Sequence, residues 1–180
     1  KVNVKIQPSD VRWWKHEGAI LGYRNGDIRI RLSDRQDPER ALKNYDRSTA
    51  TQILSSAPML IEDYDNIGSS FVDKERLNAL SSTLDYEDKD RHQGVRHPRT
   101  AVAMTGDGHL LLITVDGRAT KAEGMSADEL SRFIVKYFNP RYALNLDGGG
   151  STTMVIPGYG QKQTNVVNYP TDNGNFDHWG

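Results

Sequence analysis

The sequence predicts a single α+β (mixed α/β) domain: a mixed β-sheet built from hairpins, with one amphipathic crossover helix at 126–138. Three observations carry this reading. Apolar and polar residues alternate on both sides of Asn-Gly and Asp-Gly turns. One stretch has helical periodicity behind a capping box. A short apolar run, 142–146, ends in Asp147 and three consecutive glycines. The length, 180 residues, suits one domain over 1–180.

Taken in order, Val2, Val4 and Ile6 alternate with polar residues and read as a half-buried strand. Residues 22–32 contain Asn25-Gly26 and then clean alternation through Ile28, Ile30 and Leu32, a hairpin signal. Residues 38–45 read as a short helix, and 51–54 as a strand running into 55–61. The pattern loosens over 62–96, which reads as a loose polar insertion. Within it 85–91 is almost wholly charged and reads as a solvated surface loop, while Leu77, Leu80 and Leu84 line one face of a brief helix. Residues 100–104 and 110–115 flank Asp107-Gly108 and form a second hairpin. Ser126 and Glu129 make a capping box, and Leu130, Phe133, Ile134, Tyr137 and Phe138 follow as one apolar stripe that Asn139-Pro140 ends. Strand 142–146 comes next, and 153–156 with 165–167 form a last hairpin around 157–160.

Composition narrows the function. The chain has 23 basic and 24 acidic residues, a formal net charge of -1 and a mean hydropathy of -0.68. Such a balance gives no overall attraction to nucleic acid or anionic membrane, and no nucleic-acid partner is expected. No apolar run is long enough to span a bilayer. Cysteine is absent, which removes disulfides, thiolate metal sites and a cysteine nucleophile. Walker, dinucleotide, nucleophile-elbow and EF-hand patterns are missing.

The glycine run is where chemistry is expected. Glycine weakens regular structure, so Gly148, Gly149 and Gly150 mark a sharp turn or a close approach by something else. Ser151 and Thr152 add hydroxyls, and Asp147 stands where the strand ends. If Asp107-Gly108 is a two-residue turn, Arg99 falls opposite Asp116 and His97 opposite Arg118; a loop of another length would slip the register by one. A helical crossover from 110–115 to 142–146 joins strands of the same direction, so Asp116 and Asp147 both lie past carboxyl ends, where ligands bind in open α/β sheets. The last hairpin returns Asn168 beside Ser151 and Thr152. One rim then gathers His97, Arg99, Asp116, Arg118, Asp147, Ser151, Thr152 and Asn168. Taken singly, each has a plainer reading: Arg99 with Asp116 could be an exposed ion pair worth under ~1 kcal/mol. Together, two guanidiniums suit a phosphate and two carboxylates suit an acetal.

The segments His97-Pro98-Arg99-Thr100-Ala101-Val102-Ala103, Val115-Asp116-Gly117-Arg118, Gly124-Met125-Ser126, Asn145-Leu146-Asp147-Gly148-Gly149-Gly150-Ser151-Thr152 and Val166-Val167-Asn168 resemble the phosphodiester glycosidase family. Ser56-Ala57-Pro58-Met59-Leu60 resembles a weaker upstream signature, and the likeness spans 50–175. It implies a hydrolase that cleaves between a sugar's anomeric carbon and a phosphodiester oxygen, on an N-acetylglucosamine-1-phosphodiester-like or polysaccharide-linked substrate. It also implies an extracytoplasmic location. On that resemblance Arg99, Arg118 and the N–H groups of Gly148, Gly149 and Gly150 hold the anion. Asp147 or Asp116 meets the anomeric centre, and His97 is the candidate acid. Thr100, Asn145, Ser151, Thr152 and Asn168 orient the acids or bind sugar hydroxyls. Family members carry an upstream Asn-Gly-x-Phe-Phe-like motif and a Gly-Glu-Arg-like strand past the last loop; this chain has neither, which implies a piece of a longer polypeptide. No cofactor is expected. Two rival readings are a non-catalytic carbohydrate or cell-wall binding module, and a phosphodiesterase with a divalent cation held by Asp116, Asp147 and His97.

Overall fold

The computed structural model describes residues 9–33, 37–68, 72–80 and 82–172; the alternating run at Val2, Val4 and Ile6 lies outside them. A 3-10 turn, Val11–His16, leads into β1 (Gly18–Gly22), β2 (Ile28–Leu32), α1 (Pro38–Arg47), β3 (Gln52–Ser56), β4 (Met59–Glu62), β5 (Asp65–Asn66), α2 (Lys74–Leu80), α3 (Lys89–Gly94), β6 (Arg99–Met104), β7 (Leu110–Val115), α4 (Ala127–Phe138) and β8 (Tyr142–Asn145). A second 3-10 turn, Gly149–Ser151, follows. Among the described residues no helix is long and apolar enough to cross a membrane.

The strands form two sheets, ordered β2-β1-β3 and β5-β4-β8-β6-β7. Alternation places Ala101 and Ala103 of β6 on one face and Val102 on the other. Ala101 and Ala103 pack with Leu60, Ile61 and Ala143 against Ala127, Leu130 and Ile134 of α4. Val102 packs with Met59 and Leu144 against Ile30 of β2. The result is three layers: small sheet, large sheet, helix. A register shift between Met59 and Ile61 lets neighbours on β4 serve both faces. At Gly18 the sheets approach so closely that a methyl group would sit 2.5 Å from Leu144 Cδ1.

Helix α4 starts and stops as its sequence specifies. Ser126 Oγ accepts the N–H of Glu129 at 3.2 Å, and Glu129 Oε2 accepts the N–H of Ser126 at 2.9 Å. Asn139 closes the helix in the left-handed region at φ 40°. Ser126→Ala should therefore cost about 1 kcal/mol, read as a lowered urea midpoint.

Three expectations change. First, β7 and β8 run in the same direction, but β6 lies between them, antiparallel to both. Every strand pair among the described residues is therefore antiparallel. The carboxyl ends of β7 and β8 still meet at one rim, now with the start of β6 between them. Second, Met104 pairs with Leu110 across a five-residue loop, 105–109, and the register slips by one. Arg99 faces Val115, not Asp116, and His97 bridges Met125, not Arg118. Third, the last hairpin is reduced to one bridge, Val155 with Val166.

The charged segment is ordered rather than loose. Arg76 grips both carboxylate oxygens of Asp88, at 2.9 and 2.6 Å, and one of buried Asp90 at 2.6 Å. Asp90 also accepts the N–H of Asp73 at 2.9 Å. These contacts hold α2 against α3 and point Tyr86 and His92 toward the rim.

Candidate functional site

The rim assembles from four chain ends. The start of β4 contributes Ala57 and Pro58, joined by a cis peptide bond. The residues before β6 contribute His97 and Pro98. The end of β7 contributes Asp116 and Arg118, and the end of β8 contributes Asn145 and Asp147. The glycine turn closes over β6: Gly149 N–H donates to Pro98 O at 2.9 Å, and a methyl group at Gly148 would lie 2.7 Å from that oxygen. The loop before α4 closes from the other side, since His97 and Met125 exchange backbone hydrogen bonds at 3.3 and 3.0 Å. Gly124, at φ 93°, has no room for a Cβ, which would meet His97 O at 2.4 Å.

Arg99 is 2% exposed. Its Nε donates to Met125 O at 2.8 Å, and its Nη2 donates to His92 O at 2.9 Å and Val95 O at 2.8 Å. No carboxylate among the described residues reaches it. Burial pulls its pKa down to about 10, still charged at neutral pH. Three of five donors are thus spent on main-chain carbonyls; the Nη1 pair has no partner among the described residues and is what Arg99 can offer an anion.

Arg118 is exposed and held at φ 54°, a conformation uncommon outside glycine and frequent at functional sites. Its guanidinium lies over Gly149, where a methyl group would stand 3.2 Å from Nη2. Nη2 donates to Tyr86 Oη at 3.2 Å and lies 3.4 Å from His97 Nδ1. His97 and Arg118 therefore meet, through the fold around them rather than across a β-ladder.

The two acids differ in environment. Asp116 Oδ1 accepts Asn168 Nδ2 at 3.1 Å and the N–H of Tyr169 at 3.0 Å. Asn168 also donates to Thr152 O at 2.8 Å and accepts Met154 N–H at 2.7 Å, so it fixes Asp116 to the segment after the glycine turn. Asp147 is exposed, and one carboxylate oxygen accepts the N–H of Gly148 at 2.9 Å. It lines a cavity of about 510 Å³ with Trp14, His16, Ser55 and His92.

The remaining expected residues divide. Thr100 and buried Thr152 touch through their hydroxyls at 3.4 Å. Asn145 is buried and spends its Nδ2 on Ala57 O at 2.9 Å and Leu146 O at 2.7 Å, leaving Oδ1 without a partner among the described residues. It braces the rim. The glycine N–H cradle is smaller than expected, because the N–H groups of Gly148 and Gly149 are satisfied inside the turn. Ser151 Oγ donates to Asp172 Oδ2 at 3.5 Å, and the Asp172 carboxylate packs on Gly150. Asp172 is a third acid that no sequence signal marked. Among the described residues no group of three or more His, Asp or Glu side chains could hold a metal ion, so Asp116, Asp147 and His97 do not form a ligand set.

Sequence reasoning also missed an aromatic wall. His92 meets Trp14 edge-on at 5.3 Å and Tyr86 at 5.8 Å, and Tyr86 meets His97 at 6.0 Å. Burial, then the positive field of Arg99, depresses both imidazoles from 6.5 to about 4. At neutral pH His97 is an uncharged ring, suited to hydrogen bonding rather than to donating a proton as imidazolium. The folded state thus binds fewer protons than the unfolded chain between about pH 4 and 6.5. Stability should be full above that window and fall as pH drops through it. Urea midpoints at pH 7, 5.5 and 4.5 should decline, and His92→Gln should flatten the slope. Carboxylates held low by their partners, such as Glu129 beside Arg96, add to the decline below about pH 5.5, so the step from pH 7 to 5.5 and the His92→Gln comparison isolate the imidazoles.

A family model described as phosphodiester glycosidase matches residues 5–178. The chain is 31% identical over 128 residues to N-acetylglucosamine-1-phosphodiester alpha-N-acetylglucosaminidase of Bos taurus, and 29% identical to that of Homo sapiens. Each match covers 71% of this chain and 22% of the relative, so the chain spans under a quarter of their length. The zebrafish N-acetylglucosamine-1-phosphodiester alpha-N-acetylglucosaminidase catalytic domain, auto-inhibited by its pro-peptide, aligns over 91% of this chain and 48% of that one. The TM-score is 0.58 at 24% identity, a likeness of fold.

Proposed function

The chain belongs to the phosphodiester glycosidase family, and on that footing we propose that it hydrolyses the bond between a sugar's anomeric carbon and a phosphodiester oxygen. The observation that carries this reading is that exposed Asp147 lines the cavity two residues before Gly149, against which the Arg118 guanidinium lies, with Arg99 and Asp116 on the same rim. In the reaction the anomeric C–O bond breaks and its electron pair leaves with the phosphate. The oxygen of water bonds to the anomeric carbon, and the water proton passes to solvent. Asp147 meets the anomeric centre, as nucleophile or as base for water. Asp116, held by Asn168 and Tyr169, is the second acid. Arg118 and Arg99 Nη1 hold the phosphate, which is a fair leaving group and needs little acid help from a neutral His97.

The substrate is an N-acetylglucosamine-1-phosphodiester or a polysaccharide-linked phosphodiester, and the protein works outside the cytoplasm. That the bovine and human relatives are N-acetylglucosamine-1-phosphodiester alpha-N-acetylglucosaminidases supports the first of these. The test is incubation with a panel of sugar-1-phosphodiesters and identification of products by mass. Free sugar with a phosphomonoester is expected. Sugar phosphate with an alcohol would make the protein a phosphodiesterase, and saturable binding without sugar release would make it a binding module.

A further inference from the structure

Tyr86 stands in the turn before α3, and its neighbours on both sides are anchored. Glu87 N–H donates to Asp85 Oδ1 at 2.8 Å, and Arg91 Nη1 donates to Leu84 O at 2.6 Å. Glu87 is ion-paired with Lys15, and Asp88 with Arg76. So firm a turn would suit a tyrosine used for packing, yet the residue is 44% exposed. Its ring lies edge-on to His92 and His97, and its Oη accepts Arg118 Nη2 at 3.2 Å. A phenol can donate one proton as well as accept. Here the accepted bond occupies a lone pair and the guanidinium charge repels the hydroxyl proton, so the O–H is turned away from Arg118. It has no acceptor among the described residues. Arg99 is close enough for its charge to be felt at Tyr86, and neither it nor Arg118 has a carboxylate partner among the described residues. A spare O–H beside uncompensated positive charge suits an oxyanion.

We propose that Tyr86 is a phosphate-binding residue, donating its O–H to the anion that Arg118 holds, and that the anchored turn positions it. The proposal deepens the proposed function and rests on its assignment of phosphate to Arg118. It also says which form of phosphate the hydroxyl favours. A phosphodiester carries one negative charge. Once the anomeric C–O bond breaks, the leaving phosphomonoester carries about two near neutral pH. An O–H donor bonds more strongly to the more charged oxygen, so the hydroxyl stabilises the transition state more than the bound diester.

The experiment is titration of the protein with methyl phosphate and with dimethyl phosphate, monitored by phosphorus NMR, for the parent, Tyr86→Phe, Arg118→Ala and the double variant. Tyr86→Phe keeps the ring against both imidazoles, so the melting temperature should not move. Methyl phosphate should bind about tenfold more weakly, and dimethyl phosphate only about threefold. In the Arg118→Ala background Tyr86→Phe should add less than about twofold, since the two groups hold one anion. Where a sugar-1-phosphodiester is turned over, the same variant should lower kcat more than it raises KM. The proposal is overturned if Tyr86→Phe binds methyl phosphate as the parent does, if its loss is unchanged in the Arg118→Ala background, if its melting temperature falls, or if the parent binds neither phosphate. The expected binding pattern without turnover of any sugar phosphodiester would sink the functional reading and leave Tyr86 as a phosphate ligand. Turnover with parent-like methyl phosphate binding in Tyr86→Phe would do the reverse.

Discussion

Asp147→Asn should lower turnover of an aryl or nucleotide sugar-1-phosphodiester by about a thousandfold or more, while the melting temperature stays within roughly 2 °C of the parent. The two halves have one physical source. Asp147 is exposed and its carboxylate takes only the N–H of Gly148 among the described residues. An amide oxygen can accept that bond equally well, so folding loses almost nothing. What disappears is the negative charge facing the cavity, on which stabilisation of a developing oxocarbenium ion or attack at the anomeric carbon depends. A thousandfold corresponds to ~4 kcal/mol of transition-state stabilisation, within the range a single reacting group supplies. Asp116→Ala makes the useful contrast. It strips the acceptor from Asn168 and from the Tyr169 N–H, so it should lower stability and turnover together. Near-parent turnover for Asp147→Asn would remove this acid from the chemistry, and a matching fall in melting temperature would make its role structural.

The sequence made the rim legible because the rim depends on connectivity more than on register. A strand, an amphipathic helix and a second strand place two carboxyl ends together whether or not another strand intervenes, and β6 intervening changed only which residues are neighbours. Register was not legible. Asp107-Gly108 signals a turn but not its length, and Thr105 enlarged it: its Oγ1 accepts the N–H of His109 at 2.9 Å, and its backbone pairs with His109 and Gly108. The resulting one-residue slip in register moved Arg99 off Asp116. The wall at Tyr86 and His92 was illegible for a different reason. Its segment is almost wholly charged, and charge usually means solvent. Here the charges pair with Arg76 on a separate helix, a long-range match that no local pattern encodes. The glycine run was read correctly as a close approach, yet the approaching groups are the protein's own Pro98 carbonyl and Arg118 guanidinium. Glycine reports the space required, not what fills it.

Arg99→Lys should be as damaging as a far less conservative change. A guanidinium is a rigid fork, and here it spans three carbonyls from two segments, His92 in the last turn of α3 with Val95 just past it, and Met125 before α4. A lysine ammonium is one point and cannot reach all three, so at least one buried carbonyl is left unpaired. Burial without a counter-ion also pushes an ammonium toward its neutral form. The expected loss is about 3 kcal/mol, a fall in melting temperature of roughly 6–12 °C for a domain of this size. Turnover should fall as well, even when measured well below the new melting temperature, because the Nη1 pair and the placement of His92 and His97 go with the fork. Arg99→Met separates the two contributions. It removes charge and donors alike, so a KM increase beyond that of Arg99→Lys would measure the attraction of the buried charge for the anion. Equal KM values in the two variants would mean that Arg99 acts wholly through the carbonyls it ties together. Parent-like stability in either variant would contradict the contacts on which both roles depend.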